Sequence, residues 1–350
     1  IRLILKRDEV VFPEAIVLDI IEQVINRIIG LGPLQKVMLD DSVSEIMVNG
    51  KDCIFVERNG VLERTPLFFS SDDELLNVIN RIVSQVGRRI DESSPMVDAR
   101  LGDGSRVNAI IPPLSLTGPV LTIRKFSKNI FTIDNLVEKH SLSAPMASYL
   151  KEAVANKKNI IISGGTGTGK TSLLNVLAQY IDNGERIITI EDSAELQLNH
   201  SHLISLESRP ANIEGKGAIA IRQLLKNALR MRPDRIIVGE IRGAESLDML
   251  QAMNTGHAGS LTTVHANTTL EALFRIETMV LMSDLDLPLQ AIRQQILGAI
   301  HVIVQLDRLR NGQRKIVAIS ELNQSMEYRE KGEYNMDHKF SYNYDTDRFE

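Results

Sequence analysis

Residues 158–180 read KNIIISGGTGTGKTSLLNVLAQY, and this stretch decides the fold. The apolar run Lys158–Ser163 predicts a short buried strand, and the leucine-rich run Ser172–Tyr180 predicts a helix. Between them, Gly164–Thr171 matches the pattern G-x-x-x-x-G-K-[ST] in full, in the strand–loop–helix setting that the pattern requires. The segment therefore predicts a loop that binds the phosphates of a nucleotide.

Each part of this loop suits a nucleoside triphosphate with Mg²⁺. Glycines allow successive backbone N–H groups to turn toward phosphate oxygens, and the helix N-terminus adds the positive end of its dipole. The lysine is predicted to neutralise the β- and γ-phosphates, and the threonine hydroxyl after it to ligate the metal. We therefore predict ATP and Mg²⁺ as cofactors, bound through Gly164, Gly165, Thr166, Gly167, Thr168, Gly169, Lys170, Thr171 and Ser172.

Composition narrows the class of protein. The chain has 350 residues, enough for two domains, of which 43% are apolar and 24% charged. A net charge of −5 argues against nonspecific nucleic-acid binding as the main task. The single Cys53 excludes an internal disulfide. The best apolar run, Ile16–Leu31, is broken by polar residues at helical spacing, so it predicts an amphipathic helix and not a membrane span. No signal peptide is predicted.

Periodicity and turn residues predict five segments. Residues 1–30 hold an N-terminal helical segment, and residues 31–125 form a smaller α/β domain with hairpins, marked by Asn-Gly turns. Residues 126–140 are predicted to be a linker. From 141 to 325, strands alternate with longer helices, the pattern of a doubly wound and mostly parallel sheet. The C-terminal tail, 326–350, has no clean periodicity and carries no secondary-structure prediction.

One strand after the phosphate loop ends in carboxylates. The apolar run from Arg186 ends in Glu191 and Asp192, and Glu195 follows a short turn later. In doubly wound sheets the carboxyl ends of the strands face the ligand crevice. We predict that Glu191 and Asp192 are magnesium ligands or water-positioning groups. The alternative is that these acids cap a helix or lie at the surface.

A second such strand, Arg235–Glu240, has the apolar run and acidic end of a Walker B strand. Gly239 stands directly after the apolar run, where such strands usually carry an acidic residue. The carboxylate comes one residue later, at Glu240. We therefore predict that Glu240 orients and deprotonates the attacking water.

Histidines and arginines complete the candidate site. His257 and His265 flank a third strand, and His265 is predicted to sense the γ-phosphate or to couple it to movement. Phosphoryl transfer needs positive charge at the transition state, often from another domain or subunit. Arg100, Arg106 and Arg124, on the last strands of the smaller domain, are predicted to supply it.

The order of these elements resembles that of the type II/IV secretion ATPase superfamily, whose motifs are Walker A, an Asp box, a Walker B strand ending in Gly-Glu, and a His box. The resemblance covers about residues 15–325. Within the superfamily, the chain looks closest to the CpaF branch, the ATPases of tight-adherence (Flp/Tad) pili. The runs that carry this finer likeness are Leu31–Gly50, Asp98–Asn108 and Ala244–Asn267.

The resemblance implies a PAS-like N-terminal domain, a RecA-like ATPase domain and ATP bound between them. It also implies a homo-hexameric ring in the cytoplasm, which hydrolyses ATP to drive pilus assembly or secretion through inner-membrane platform proteins. Membrane association would come only through these partners. By position, Glu240 is the catalytic acid, and the three arginines contact phosphate. The acidic box is Glu191, Asp192 and Glu195, and the histidine box is His257 and His265.

Other classes of protein share the phosphate loop. A RecA-like nucleic-acid translocating motor has the same fold, but it needs a basic channel, and we expect no direct nucleic-acid partner from this acidic chain. A small-molecule kinase needs a second substrate pocket and an arginine-rich lid. A nucleotide switch without hydrolysis has no use for Glu240.

Overall fold

The computed structural model divides the chain into two units, Ile1–Lys128 and Asn129–Glu350. It describes residues 13–28, 30–58, 60–126, 131–209, 211, 216–283 and 285–349. Each unit is built around its own β-sheet. In the described part of the chain, no helix is long and apolar enough to cross a membrane.

The smaller unit is a six-stranded antiparallel sheet in the order β3-β2-β1-β6-β5-β4. Alternate residues of the inner strands, such as Ile46, Val48, Leu121 and Ile123, are buried on one face, as a half-covered sheet requires. Its strands are β1 (Val43–Asn49), β2 (Ile54–Arg58), β3 (Val61–Arg64), β4 (Met96–Arg100), β5 (Arg106–Ile110) and β6 (Val120–Arg124).

Helix α3 (Asp72–Gln85) contributes the helical part of that core. Ser71 caps it by accepting a hydrogen bond from the backbone N–H of Glu74 at 3.1 Å. Its buried face includes Leu75 and Ile79, as the apolar stripe predicts. Among the described residues, two α-helices precede it: α1 (Glu14–Ile28), at the predicted amphipathic helix, and the short α2 (Gln35–Leu39). Residues 1–12 of the predicted helical segment lie outside the described residues.

The larger unit is a nine-stranded sheet in the order β15-β14-β13-β12-β7-β11-β10-β8-β9. The six strands from β12 to β9 are parallel, and the remaining three are added antiparallel. The strands are β7 (Ile160–Gly164), β8 (Ile187–Glu191), β9 (Leu203–Glu207), β10 (Arg235–Val238), β11 (Leu261–Val264), β12 (Val302–Arg308), β13 (Arg314–Leu322), β14 (Met336–Asn343) and β15 (Arg348–Phe349).

Helices cover both faces of this sheet, which is why its central strands are apolar throughout. Ile160 and Ile162 pack into the core beside α5 and α6, and Ile161 packs into the core on the opposite face. The helices are α4 (Ile133–Glu138), α5 (Ala144–Ala155), α6 (Lys170–Ala178), α7 (Ile221–Ala228), α8 (Glu245–Asn254), α9 (Thr269–Leu281), α10 (Leu289–Ala299) and α11 (Met326–Lys331). The predicted doubly wound, mostly parallel sheet is therefore present.

Asn159 joins three segments at the amino-terminal edge of the sheet. Its side chain is buried, and its Oδ1 accepts hydrogen bonds from the N–H groups of Gly259 and Ser260 at 2.7 and 3.0 Å. Its Nδ2 donates to the carbonyl of Ala299 at 2.6 Å. One side chain thus satisfies three buried backbone groups, as buried polar groups require.

A buried ion pair lies at the same edge. The Arg235 side chain is 1% exposed and donates to both carboxylate oxygens of Glu185, at 2.8 and 2.9 Å. The hydrogen bonds from Arg235 lower the pKa of Glu185 to about 2. The guanidinium leaves no room for a side chain at residue 259, where a Cβ would lie 2.2 Å from Nη1. Gly259 also has φ of 83°, in the left-handed region that favours glycine, so both the space and the backbone conformation require glycine there.

Two segments differ from their sequence-based description. The predicted linker 126–140 contains α4, whose first residue, Ile133, is fully buried in the core of the larger unit. Residues 127–130 of that linker lie outside the described residues. The tail after 325 holds α11 and the antiparallel strands β14 and β15, which extend the larger sheet.

Candidate functional site

The phosphate loop joins β7 to α6 at the carboxyl-terminal edge of the parallel strands. Gly164 is the last residue of β7, and a Cβ there would lie 2.6 Å from Thr168 Oγ1 and 2.8 Å from the carbonyl oxygen of Leu306. The Thr168 hydroxyl donates to the carbonyl of Gly165 at 2.9 Å, which closes the loop on itself. Gly169 precedes the helix with φ of 94°, in the left-handed region. The loop conformation therefore requires glycine at these two positions.

Lys170 lies inside this loop. Its side chain is 7% exposed, and its Nζ donates to the carbonyls of Gly164 at 3.0 Å and Gly165 at 2.8 Å. The same nitrogen lies 3.5 Å from Nδ1 of His265. Burial lowers the pKa of Lys170, and the nearby Arg242 lowers it further, against the opposing charge of Glu240.

His265 connects the lysine to the carboxylate of Glu240. Its Nε2 lies 3.2 Å from Glu240 Oε1. Burial and the charge of Lys170 lower the pKa of His265, so the ring is neutral at pH 7. The contacts assign one tautomer, in which Nδ1 accepts from the ammonium group of Lys170 and the Nε2–H donates to Glu240.

Arg242 holds the other side of the same carboxylate. Its Nη2 donates to Glu240 Oε2 at 2.8 Å. Burial raises the pKa of Glu240, but the hydrogen bond and charge of Arg242 outweigh that effect, and the net pKa is lowered. Glu240 is therefore ionised at neutral pH and fixed from two sides. Sequence analysis assigned no role to Arg242, although its place two residues after Glu240 was the available signal.

Thr263 braces the backbone that carries this carboxylate. Its Oγ1 donates to the carbonyl of Gly239 at 2.8 Å, and its own carbonyl accepts from the N–H of Ile241 at 3.1 Å. Glu240 thus lies between two backbone groups that are tied to the neighbouring strand β11. This contact was not predicted, because the sequence does not indicate which group a threonine inside an apolar strand will hydrogen-bond.

Glu191 and Asp192, at the end of β8, both accept hydrogen bonds from other residues of this unit. Glu191 is 3% exposed, and its carboxylate accepts hydrogen bonds from the N–H groups of Glu195 at 2.9 Å and Leu196 at 3.1 Å. Asp192 is exposed and accepts from the Ser208 hydroxyl at 3.0 Å. Strand β8 is three strands from β7, about 14 Å at the usual strand spacing. The metal role predicted for these acids stays a prediction.

Gly239 is explained by its contact with Glu191. A Cβ at Gly239 would lie 2.9 Å from Cγ of Glu191, so the buried glutamate occupies the space beside this backbone. The sequence showed that the usual acid of a Walker B strand is missing here. The structure supplies the steric reason for a glycine in its place.

The structure brings His265, but not His257, to the phosphate loop. His257 precedes β11, at the amino-terminal end of the strand, and His265 follows the carboxyl-terminal end. The His257 N–H donates to the carbonyl of Ala252, at the end of α8, and its buried Nδ1 has no hydrogen-bond partner among the described residues. Two histidines at opposite ends of one strand lie at opposite edges of the sheet, so they cannot both reach the phosphate loop.

The three predicted arginines form one row across the smaller sheet. Arg100 pairs with Arg106, Arg106 pairs with Arg124, and Arg124 pairs with Glu45 on β1. Buried core residues flank them along the strands, so the row lies on the face opposite the core. Their predicted contact with phosphate stays a prediction.

Residues that suit a magnesium ion are the hydroxyl of Thr171, at the start of α6, and nearby carboxylates, because Mg²⁺ prefers oxygen ligands. Among the described residues, no group of three or more histidine, cysteine, aspartate or glutamate side chains is placed to hold a metal ion.

Comparisons with known proteins agree with this architecture. The family model described as "Type II/IV secretion system protein" matches residues 29–341. The conjugal transfer protein TrbB of Rhizobium radiobacter is 34% identical over 81% of this chain and 86% of its own length. The type IV secretion system protein VirB11 of Bartonella quintana is 31% identical over 83% of this chain and 91% of its own length.

A solved structure extends the agreement to the fold. The crystal structure of the pilus retraction motor PilT with bound ADP covers 81% of this chain and 80% of its own, with a TM-score of 0.60 and 21% identity. The predicted fold class, a smaller sheet domain followed by a larger α/β domain, is confirmed.

Proposed function

Because this chain belongs to the type II/IV secretion system family, we propose that it is an ATPase that hydrolyses ATP to ADP and phosphate and uses the energy to drive a secretion or pilus machine. The observation that carries the proposal is the continuous polar chain Lys170–His265–Glu240–Arg242 beside the phosphate loop. A phosphate-binding lysine and an ionised, oriented carboxylate are two of the parts that hydrolysis requires.

Each residue of this chain has a separate task in the proposal. Lys170 binds the β- and γ-phosphates, together with the N–H groups of the loop. Glu240 accepts the proton of the attacking water, since its lowered pKa keeps it ionised. His265 lies between the two, so that a change at the phosphate alters the hydrogen bond to Glu240. Arg242 holds the carboxylate in place.

Magnesium would be held by Thr171 and by the phosphates, with Glu191 or Asp192 acting directly or through water. When bound, the ion neutralises charge on the phosphoryl group. Asp192 suits the indirect role because it is exposed at the end of β8.

The finer parts of the proposal follow the resemblance to the CpaF branch. We propose a homo-hexamer at the cytoplasmic face of the inner membrane, bound to platform proteins of a Tad-like pilus or a type IV secretion system. Arg100, Arg106 and Arg124 then supply positive charge to the nucleotide. The relatives named for conjugal transfer and type IV secretion support the coarser level, a type IV secretion machine.

The test of the enzymatic proposal is ATP turnover by the wild type and two variants. Lys170→Ala abolishes binding and turnover. Glu240→Gln retains ATP binding but lowers kcat by roughly 10²–10⁴-fold, because it removes the proton acceptor. Glu327→Gln is the matched control, since Glu327 lies on the surface of α11 and pairs only with Lys331 among the described residues. Normal turnover by Glu240→Gln would indicate that Glu191, Asp192 or Glu195, and not Glu240, activates the attacking water.

The assembly is tested by light scattering of the Glu240→Gln variant with Mg²⁺-ATP. A mass near six chains supports the ring, and a persistent monomer contradicts it. Addition of single- or double-stranded DNA to the turnover assay tests the alternative, a nucleic-acid translocating motor. Strong stimulation by DNA would favour that alternative over a motor that acts on proteins.

A further inference from the structure

Two arginines that belong to none of the motifs described above lie beside the phosphate loop. Strands β12 and β13 form a hairpin in which Arg308 pairs with Arg314. A Cβ at Gly167 would lie 3.9 Å from Nη1 of Arg308, and a Cβ at Gly169 would lie 3.6 Å from Cδ of Arg314. Both side chains therefore lie beside the glycines of the loop, in the space that a Cβ at either glycine would adjoin.

In the part of the chain that the structure describes, no carboxylate compensates the charge of these arginines. Within the described ranges, neither Arg308 nor Arg314 takes part in an ion pair. The nearest acid in sequence, Asp307, accepts hydrogen bonds from the N–H of Arg308 and from the hydroxyl of Tyr344, but not from a guanidinium. Guanidinium groups remain charged at every accessible pH and favour phosphate as a partner. Two positive charges thus lie beside the loop and can bind an anion.

The strand order determines from which side these charges approach the nucleotide. Strand β7 lies between β12 and β11. His265 follows β11, and Glu240 follows β10, which lies beyond β11, so the residues proposed for hydrolysis lie on one side of the loop. Arg308 is the last residue of β12 and Arg314 the first of β13, so the two arginines lie on the other side of the loop.

We propose that Arg308 and Arg314 bind the phosphates that ATP and ADP share, on the side of the loop away from the hydrolysis residues. The inference rests on the proposed function, since it adds binding residues to the same nucleotide site. Contacts to shared phosphates stabilise the ATP and ADP complexes equally, so they affect KM and not the chemical step.

The hairpin backbone beside Arg314 is braced by contacts of the next residue. The next residue, Lys315, is 5% exposed and pairs with Asp347, and its Nζ lies 4.7 Å from the centre of the Tyr342 ring and 5.6 Å from that of Phe349. Strands β14 and β15 and the turn between them thus hold the first residues of β13 in place. A side chain on a fixed backbone loses less conformational entropy when it binds a ligand.

The experiment is a comparison of ATP and ADP affinity, measured with fluorescent analogues of each nucleotide, for Arg308→Gln, Arg314→Gln and the double variant. Each single substitution is expected to raise the Kd for ATP and for ADP by the same factor, roughly tenfold. The KM for ATP rises in parallel, and turnover at saturating ATP falls less than twofold. The matched control is Arg310→Gln, an exposed arginine in the same hairpin, which changes either Kd less than twofold. Arg308→Lys restores part of the affinity, because it restores the charge.

The outcomes separate this inference from the proposed function. If Arg308→Gln and Arg314→Gln bind both nucleotides as tightly as Arg310→Gln does, the inference is wrong while the ATPase proposal stands. A loss of ATP affinity without loss of ADP affinity also overturns it, because the contact would then be to the γ-phosphate. If the wild type itself neither binds nor hydrolyses ATP, and so resembles Lys170→Ala, the proposed function fails first. Unfolding midpoints of the variants, measured without nucleotide, exclude loss of folding as the cause.

Discussion

Substitution of Gly239 by alanine tests why this strand carries no acid at that position. A Cβ at residue 239 would lie 2.9 Å from Cγ of Glu191 and 3.4 Å from its Oε1. The glutamate cannot move away freely, because the N–H groups of Glu195 and Leu196 hold its carboxylate. The new methyl group must therefore displace either the buried side chain or the strand end that carries Glu240.

The size of the effect follows from these contacts. Overpacking a buried site costs about 1–3 kcal/mol. For a unit of this size, each kcal/mol lowers the unfolding midpoint by about 2–4 °C, so we expect a decrease of about 2–12 °C. Glu240 is the next residue, and a shift of about 1 Å in a catalytic group lowers turnover roughly a hundredfold. We therefore expect Gly239→Ala to lose activity even at temperatures where it is folded.

The assay is a double-mutant cycle of thermal unfolding and ATP turnover. If the steric explanation is correct, Gly239→Ala costs little stability in a Glu191→Ala background, since the clashing Cγ is gone. Gly243→Ala is the control, because a Cβ there would meet only Oε2 of Glu245, and only at 3.4 Å, compared with 2.9 Å at Gly239. An equal cost of Gly239→Ala in both backgrounds would refute the reasoning, as the strain would then not come from Glu191.

Three further predictions concern stability and pH. Asn159→Ala leaves three buried backbone groups without partners and lowers the free energy of unfolding by about 3–6 kcal/mol in denaturant titrations, whereas the exposed Asn156→Ala changes it little. Arg235→Met costs about 3–5 kcal/mol, because it leaves a charged carboxylate without its main partner. Arg235, with a smaller contribution from Lys157, lowers the pKa of Glu185 from 4.5 to about 2. These contacts therefore stabilise the protein fully above pH 4.5, and their contribution is lost as the pH falls toward 2. The variant keeps only the Lys157 contact, so its stability depends less on pH in that range. The pKa values of His265 and Glu240 are both lowered, so we expect any loss of turnover on acidification to be centred below pH 6.5, and a loss centred at or above pH 6.5 would contradict this.

Local sequence predicted the parallel core of the larger sheet well, because strands buried on both faces require continuous apolar runs. The isoleucine-rich strands β7, β8 and β10 all end within two residues of their predicted ends. The outer strands β14 and β15 carry mostly polar, exposed residues, so no periodicity marks them. Their pairing depends on β13, far from them in the chain. The short α4 was included in the predicted linker because a single buried residue, Ile133, anchors it.

The candidate site was predictable where a side chain follows a parallel strand. Lys170, Glu240 and His265 come together because the carboxyl ends of β7, β10 and β11 meet at one edge of the sheet. His257 was grouped with His265 on sequence proximity, but the strand between them separates the two. The contacts of Arg242, Arg308 and Glu191 depend on side-chain direction and on the hairpin, which no local pattern encodes.

The position of β7 in the larger sheet has a consequence for synthesis. A ribosome makes the phosphate loop soon after β7 ends at Gly164, but the strands on either side of β7 begin only at Leu261 and Val302. The emerging chain therefore carries an apolar strand and a glycine-rich loop without neighbours while most of this unit is still to be translated. Such long-range pairing slows folding and exposes unpaired strand edges. The nascent chain cannot assemble its nucleotide site before almost the whole unit has left the exit tunnel, and chaperones that cover apolar strands are expected to act in that interval.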